Sequence, residues 1–335
     1  MATPIAAGSK QRGSAASTGE RERPRELLIY WAYRAGERLI GLLPRGLVLS
    51  LASAAGNAAY DLAGAKRHVV EQNLARPLGV APDDRRARRT ARRAFAAYAK
   101  YLVDVMYMGS MSAEEMGRLV AIDNVELLDE ARAGGTGVLI CTVHVGGMDL
   151  IAPGLLRHAE SLNVVADDTS YGRLYDHLKA VRARHGLTLV GWRNLRGIIR
   201  ALRDRQNIVL FCDGGFRRGD VPVEFLGEPT TFPAGPATLS ARSGAPMLPV
   251  YCRRTVGDRF RARGLPLIRS ASEEPAEIHR ATQLLADELG TVIRDSPGQW
   301  YMFRPVWPQT DEDRAWARSA LEAARRGADW SRKES

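Results

Sequence analysis

His144 is followed by Val145, two glycines, Met148 and Asp149, and a second acid, Asp213, stands immediately before Gly214-Gly215. These residue types at these spacings suit general-base chemistry. A neutral imidazole can take the proton of a weak nucleophile such as a hydroxyl and return it to a leaving group, provided a carboxylate fixes its tautomer. Asp149 is near enough through a glycine turn to accept a hydrogen bond from one imidazole nitrogen. Asp213 shares the pocket if its strand neighbours the one before His144. Gly146 and Gly147 allow a tight turn and close approach of a substrate. Backbone N–H groups near Gly146 and Gly147, or near Gly214 and Gly215, are candidate donors to a developing oxyanion. Ordinary alternatives stand beside each reading: a histidine after a strand is commonly a loop residue, and aspartate before glycine commonly turns the chain. No serine or cysteine lies in a nucleophile-elbow motif, which favours direct transfer without a covalent intermediate.

The elements that must position these groups are legible as alternation. Val138 to Val143 is a short apolar run with the pattern of a strand covered on both faces, and it releases His144 at its carboxyl end. Strand patterns recur at Leu162 to Ala166, Leu187 to Val190 and Ile208 to Cys212, separated by helical segments ending near Gly186 and Arg205. Such alternation predicts a largely parallel sheet with helices against it, and chemistry in an open α/β sheet gathers beyond the carboxyl ends of the strands. Further on, Met247 to Cys252 reads as a strand whose prolines suggest an edge or a bulge, and Glu277 to Arg294 as an amphipathic helix over the sheet. The fold class expected is therefore α/β: one domain over residues 26–310, with a charged helix and tail over 311–335.

The flanking segments bear on partners. Residues 1–25 are rich in Ala, Ser, Gly, Lys and Arg, read as a disordered tail, and lack the apolar core of a secretory signal. Residues 26–64 form two largely apolar segments broken at Pro44. The second is long enough to cross a bilayer, but its Ala, Ser and Gly content with Asn57 and Asp61 favours amphipathic helices that pack on the domain and touch a membrane surface. Ordinary helical packing explains the same pattern equally well. A later helix opens with Arg85, Arg86, Arg88, Arg89, Arg92 and Arg93, and the chain as a whole carries a formal charge of +10. That charge attracts anionic lipid, phosphorylated cofactors or nucleic acid alike. No zinc-finger, helix-turn-helix or aromatic-basic signature accompanies it, which disfavours nucleic acid. Cys141, Cys212 and Cys252 each fall in an apolar strand pattern, without metal-ligand spacing, and read as reduced core residues.

Three stretches together resemble a known family: HVGGMD at His144, the segment from Cys212 to Tyr251 with its VEFLG strand, and the closing QWYMFRPVWP. They are similar to the bacterial lipid A biosynthesis lauroyl/myristoyl acyltransferases and their actinobacterial relatives, the phosphatidylinositol mannoside acyltransferases. The resemblance runs from about Leu27 to Pro308. It implies transfer of a fatty acyl group from an acyl thioester, acyl-CoA or acyl carrier protein, to a hydroxyl of a membrane glycolipid, with no bound cofactor or metal. It also implies a peripheral place on the cytoplasmic face of the plasma membrane. Carried over by position, the family's His-x4-acid motif falls on His144 and Asp149, and the second acid that orients the histidine on Asp213, with Glu224 as the fallback. Arg217, Arg218 or Arg242 would meet the donor's phosphates; a solvent-exposed loop or helix surface is the plainer reading of each. Gly147 and Met148 stand where the family more often has Asn and Trp. The alternatives are a lysophospholipid acyltransferase and a non-catalytic basic protein that binds membranes or nucleic acid.

Overall fold

The sequence places a helical amino-terminal third before the first strand, and the computed structural model, which describes residues 24–159, 161–166, 172–328 and 330, has that order. The tail expected over residues 1–25 lies outside the described residues except for Pro24 and Arg25, which open the first helix.

Four helices come first: α1 (Pro24–Ile40), α2 (Arg45–Leu62), α3 (Gly64–Leu78) and α4 (Arg85–Tyr107). Pro44 separates the first two, and Gly79, in the left-handed region at φ 62°, ends the third. α3 runs through Pro77 to that glycine. Asp84 caps α4, its side chain accepting the backbone N–H of Arg86 at 2.6 Å. One face of α4 buries Ala87, Ala91, Ala94 and Phe95, leaving the arginines of its first turns outside. Gly56 on α2 lets the two helices touch: a Cβ there would come within 2.6 Å of the backbone of Ala96.

The α/β part follows: α5 (Ala113–Leu119), β1 (Val120–Asp123), α6 (Glu126–Arg132), β2 (Leu139–Thr142), α7 (Ala152–Leu155), β3 (Leu162–Ala166), α8 (Gly172–Arg184), β4 (Leu187–Gly191), α9 (Leu195–Arg203) and β5 (Asn207–Phe211). Next come the hairpin β6 (Val221–Phe225) and β7 (Glu228–Phe232), then α10 (Gly235–Ser243), β8 (Met247–Arg254), β9 (Phe260–Gly264), α11 (Pro275–Asp295) and α12 (Asp311–Arg325). The main sheet has the order β1-β9-β8-β2-β5-β3-β4 and is parallel except where β8 meets β9. Leu139, Cys141 and Val143 face one core layer, with Ile208 and Cys212; Ile140 faces the other, with Val209 and Val250. All three cysteines are free and buried.

The proline-bearing strand is not an edge. β8 lies between β2 and β9, and Pro249 sits where pairing passes from one neighbour to the other: contact with β2 ends at Pro249, and contact with β9 begins at Val250. A residue without an N–H is tolerated at such a handover. No pattern in the sequence had marked β9.

α1 and α2 lie on this body with their apolar side chains largely outside. α1 buries no residue, and it meets α8 at His177, against which the rings of Tyr30 and Tyr33 pack: Arg34 Nη1 lies 2.8 Å from His177 Nδ1, and His177 Nε2 lies 3.1 Å from Glu37. α2 is pinned through Arg45, which donates to the buried carboxylate of Asp104 on α4 at 3.0 Å; Arg254 of β8 donates to the same carboxylate. Leu28, Trp31, Leu39, Leu47 and Leu51 on these two helices, and Leu42 in the turn between them, remain exposed. Among the described residues no helix is long and apolar enough to cross a membrane.

Candidate active site

β2 and β5 are neighbouring parallel strands with Thr142 opposite Phe211. Continuing both chains by two residues sets His144 opposite Asp213 on the sheet face that carries Ile140 and Val209. The carboxylate grips the histidine twice. Asp213 Oδ1 lies 2.7 Å from His144 Nδ1, and Oδ2 accepts the His144 backbone N–H at 2.9 Å. Oδ2 also accepts the indole N–H of Trp300 at 2.8 Å. Asp213 is 1% exposed, and burial alone would raise its affinity for a proton, but the imidazole and these donors outweigh burial and hold it below the ordinary carboxylate range. An ionised carboxylate requires a proton on Nδ1, so Nε2 presents its lone pair outward. His144 feels opposite pulls: burial and the nearby Arg304 disfavour its charge, Asp213 favours it, and the balance leaves its pKa above the ordinary value.

Asp149 does not take the place expected for it. Its carboxylate accepts Arg182 Nε at 2.8 Å, Arg182 Nη2 at 3.1 Å and the hydroxyl of Tyr101 at 2.7 Å. The cause is the turn after His144. Val145 bridges to Trp300, Gly146 turns left-handed at φ 62° against the backbone of Cys252 and Arg253, and the chain then leaves toward α8 and α4. Burial opposes the charge of Asp149, yet Arg182 and Tyr101 hold its pKa below the ordinary value. Arg182 in turn is held firmly protonated by Asp149. Asp149 thus joins the wall of the site and the imidazole is left to Asp213.

The same turn consumes two expected oxyanion donors. The Gly146 N–H donates to Gln299 O at 3.1 Å and the Gly147 N–H to Cys252 O at 2.9 Å. The N–H groups of Gly214 and Gly215 have no acceptor among the described residues, so of the four glycines only these two keep free donors beside Asp213. Gly215 has φ 98° and its Cβ position would lie 2.8 Å from Pro305 O, which explains the glycine.

The more distant expectations separate. Arg218 is tied to α12, donating to Asp313 at 2.6 Å and Glu312 at 2.9 Å. Glu224 pairs with Arg325 at 2.8 Å, on the hairpin that packs against α11 and α12, and does not reach His144. Arg242 is held by Glu273 at 2.6 Å on the surface of α10. Arg217 stays exposed beside Gly215, its backbone N–H donating to the Thr231 hydroxyl at 2.9 Å.

Below His144 the sheet opens into a cleft with a mostly apolar lining. Phe211 lies against the imidazole, ring centroids 4.4 Å apart, and also lines the cleft. Thr142, Met148 and Asp149 share its upper wall, while Val164, Leu162 and Leu187 line it toward the amino ends of the strands. The interior therefore suits a hydrocarbon chain, with one acid at the rim already neutralised by arginine. Sequence reasoning missed Phe211, Tyr101, Arg182 and Trp300. Trp300 alone had left a signal, lying within the QWYMFRPVWP stretch, although nothing there names its partner.

A histidine held by a carboxylate at the carboxyl ends of a parallel sheet, above an apolar cleft, is an arrangement suited to acyl transfer. Comparison with known proteins makes the class specific. The model of the bacterial lipid A biosynthesis acyltransferase family matches residues 17–309, and the chain belongs to that family. Two relatives carry the name phosphatidylinositol mannoside acyltransferase. That of Mycolicibacterium smegmatis is 29% identical over 294 residues, covering 84% of this chain and 93% of the relative. That of Mycobacterium tuberculosis strain H37Rv is 28% identical over 293 residues, covering 83% and 88%. The chain is accordingly an O-acyltransferase.

Proposed function

We propose that this enzyme transfers a fatty acyl chain from a thioester, acyl-CoA being the donor of choice, to a sugar hydroxyl of a membrane glycolipid of the phosphatidylinositol mannoside kind. The observation that carries the reading is the Asp213–His144 pair set directly above the apolar cleft, with Phe211 shared between them.

In this reading the acyl chain lies in the cleft and its thioester carbonyl rests beside His144. Nε2 takes the acceptor's hydroxyl proton as the oxygen attacks the carbonyl carbon. Asp213 stabilises the imidazolium formed. The tetrahedral oxyanion is met by the N–H groups of Gly214 or Gly215. Collapse breaks the carbon–sulfur bond, and the imidazolium returns the proton to the departing thiolate. Asp149 with Arg182 and Tyr101 forms the rigid rim past which the acceptor approaches.

The exposed leucines and Trp31 around α1 and the start of α2, together with the exposed arginines on the first turns of α4, support peripheral binding to an anionic membrane surface, which this reading places at the cytoplasmic leaflet. The test is thioester consumption with palmitoyl-CoA and purified phosphatidylinositol mannoside, the lipid product read by mass. Acyl gain by the mannoside in the native protein, and its loss in folded His144→Ala, is the expected result. Transfer to a lysophospholipid in preference to the mannoside would replace this acceptor, and undiminished transfer by His144→Ala would remove the histidine base.

A further inference from the structure

The closing QWYMFRPVWP segment does more than supply Trp300. It runs as a strap along the rim of the site, and its backbone is fixed on both sides. The Tyr301 N–H donates to His144 O at 2.8 Å, and Gln299 O accepts the Gly146 N–H at 3.1 Å. Asn73, 2% exposed on α3, spends its side chain on the same strap: its amide donates to Met302 O at 3.0 Å and Arg304 O at 2.8 Å, and its oxygen accepts the Val306 N–H at 3.3 Å. Pro305 O rests against Gly215. Arg304 therefore leaves a rigid backbone between the histidine and the Gly214-Gly215 turn.

Its side chain is exposed and has no counter-ion among the described residues. That sets it apart from three other arginines around the site. Arg182 is bound by Asp149, Arg254 by Asp104 and Asp258, and Arg218 by Asp313 and Glu312. A free positive charge beside a general base stabilises negative charge brought in by a substrate, and a guanidinium on a fixed backbone matches the oxygens of a phosphate with two parallel donors.

We propose that Arg304 binds a phosphate group of a substrate at the mouth of the site and so sets where that substrate enters beside His144. The inference rests on the acyl-transfer reading, because both substrates of that reading carry phosphate: the thioester donor on its nucleotide arm and the glycolipid at its phosphodiester.

The test separates the two sources by binding, which needs no turnover. Calorimetric titrations of native protein, Arg304→Gln and Arg304→Lys would use free CoA against phosphate-free pantetheine. A second set would use detergent-dispersed phosphatidylinositol mannoside against an alkyl mannoside without phosphate. The expected result is about a tenfold loss of affinity in Arg304→Gln for one phosphate-bearing ligand, with its phosphate-free counterpart unchanged and partial recovery in Arg304→Lys. Loss for CoA assigns the donor, and loss for the mannoside lipid assigns the acceptor. Equal binding by native and Arg304→Gln to both phosphate-bearing ligands overturns the proposal. So does an equal loss for the phosphate-free ligands, since Arg304 would then act through structure. If the native protein shows the phosphate preference but transfers no acyl group to any mannoside, the acyl-transfer reading fails while the phosphate site stands.

Discussion

Asp213 holds His144 by side chain and backbone at once, one oxygen on Nδ1 at 2.7 Å and the other on the backbone N–H at 2.9 Å. The second contact fixes where the residue sits, and the first fixes which nitrogen is protonated and where Nε2 points. Trp300 anchors the carboxylate from behind, so the pair is positioned before any substrate arrives.

The pH dependence of transfer follows from this contact. With His144 as the proposed base, the imidazole must be neutral to act, and because Asp213 raises its pKa the acid limb of the kcat/KM profile is expected at a pH above the ordinary histidine value of about 6.5. Asp213→Asn removes the stabilisation of imidazolium, which moves the limb to lower pH. The same change also frees the tautomer and lowers kcat, by about 10²-fold or more. A limb that stays in place in a folded Asp213→Asn protein would show that another group titrates.

The opposition of His144 and Asp213 was within reach of the sequence because it follows from two strands with equal offsets, Val143 then His144 and Cys212 then Asp213. The sequence supplied the offsets but not the adjacency of β2 and β5, which depends on chain crossovers of more than sixty residues. The pairing of Asp149 was read from proximity along the chain and came out otherwise, since a left-handed glycine and the strap at Trp300 turn it toward Arg182 on a helix thirty-three residues away. Helices and parallel strands were legible from periodicity. β8 reads as an edge or a bulge because Pro249 says only that an N–H is missing, and not which neighbour would have received it. β9, whose residues Phe260 to Gly264 alternate apolar or small with arginine, is too short and too basic to stand out.

Asp149 and Arg182 are a largely buried pair whose partners cannot be removed singly without cost. Arg182→Met leaves the carboxylate with Tyr101 alone, and a loss of about 3 kcal/mol in unfolding free energy is expected, Asp149→Asn costing less. The double variant is expected to lose less than the sum of the two. Denaturant unfolding of all four proteins measures the coupling, and strict additivity would mean that the two side chains act independently.

The cleft predicts a chain-length preference that one side chain can shift. Val209 lines it between Phe211 and the lower leucines. In Val209→Phe the added ring shortens the space available, so the preferred acyl-CoA is expected to be shorter by several carbons, with a stability cost of about 1–3 kcal/mol from crowding. Competition among acyl-CoA donors of graded length, read as product masses, tests this. An unchanged preference with a folded variant would place the acyl chain elsewhere.

Exposed apolar side chains on α1 and α2 predict membrane binding driven by area and charge together. Leu39, Leu42 and Leu47 are 61%, 80% and 49% exposed around the Pro44 break, so they can enter a headgroup layer without any change in the fold. Full burial of a leucine is worth about 1.5–3 kcal/mol and partial insertion less, so replacing all three with serine is expected to weaken vesicle binding by at least about tenfold. The arginines of α4 add an electrostatic part that added salt removes. Co-sedimentation with vesicles containing phosphatidylinositol separates the two contributions: the serine variant keeps the salt dependence and loses affinity, whereas Arg88→Gln with Arg89→Gln flattens the salt dependence. Because all these substitutions lie outside the His144 pocket, transfer to detergent-dispersed acceptor should persist while transfer to acceptor in vesicles falls. Equal loss in both formats would tie the helices to the catalytic fold and not to the membrane.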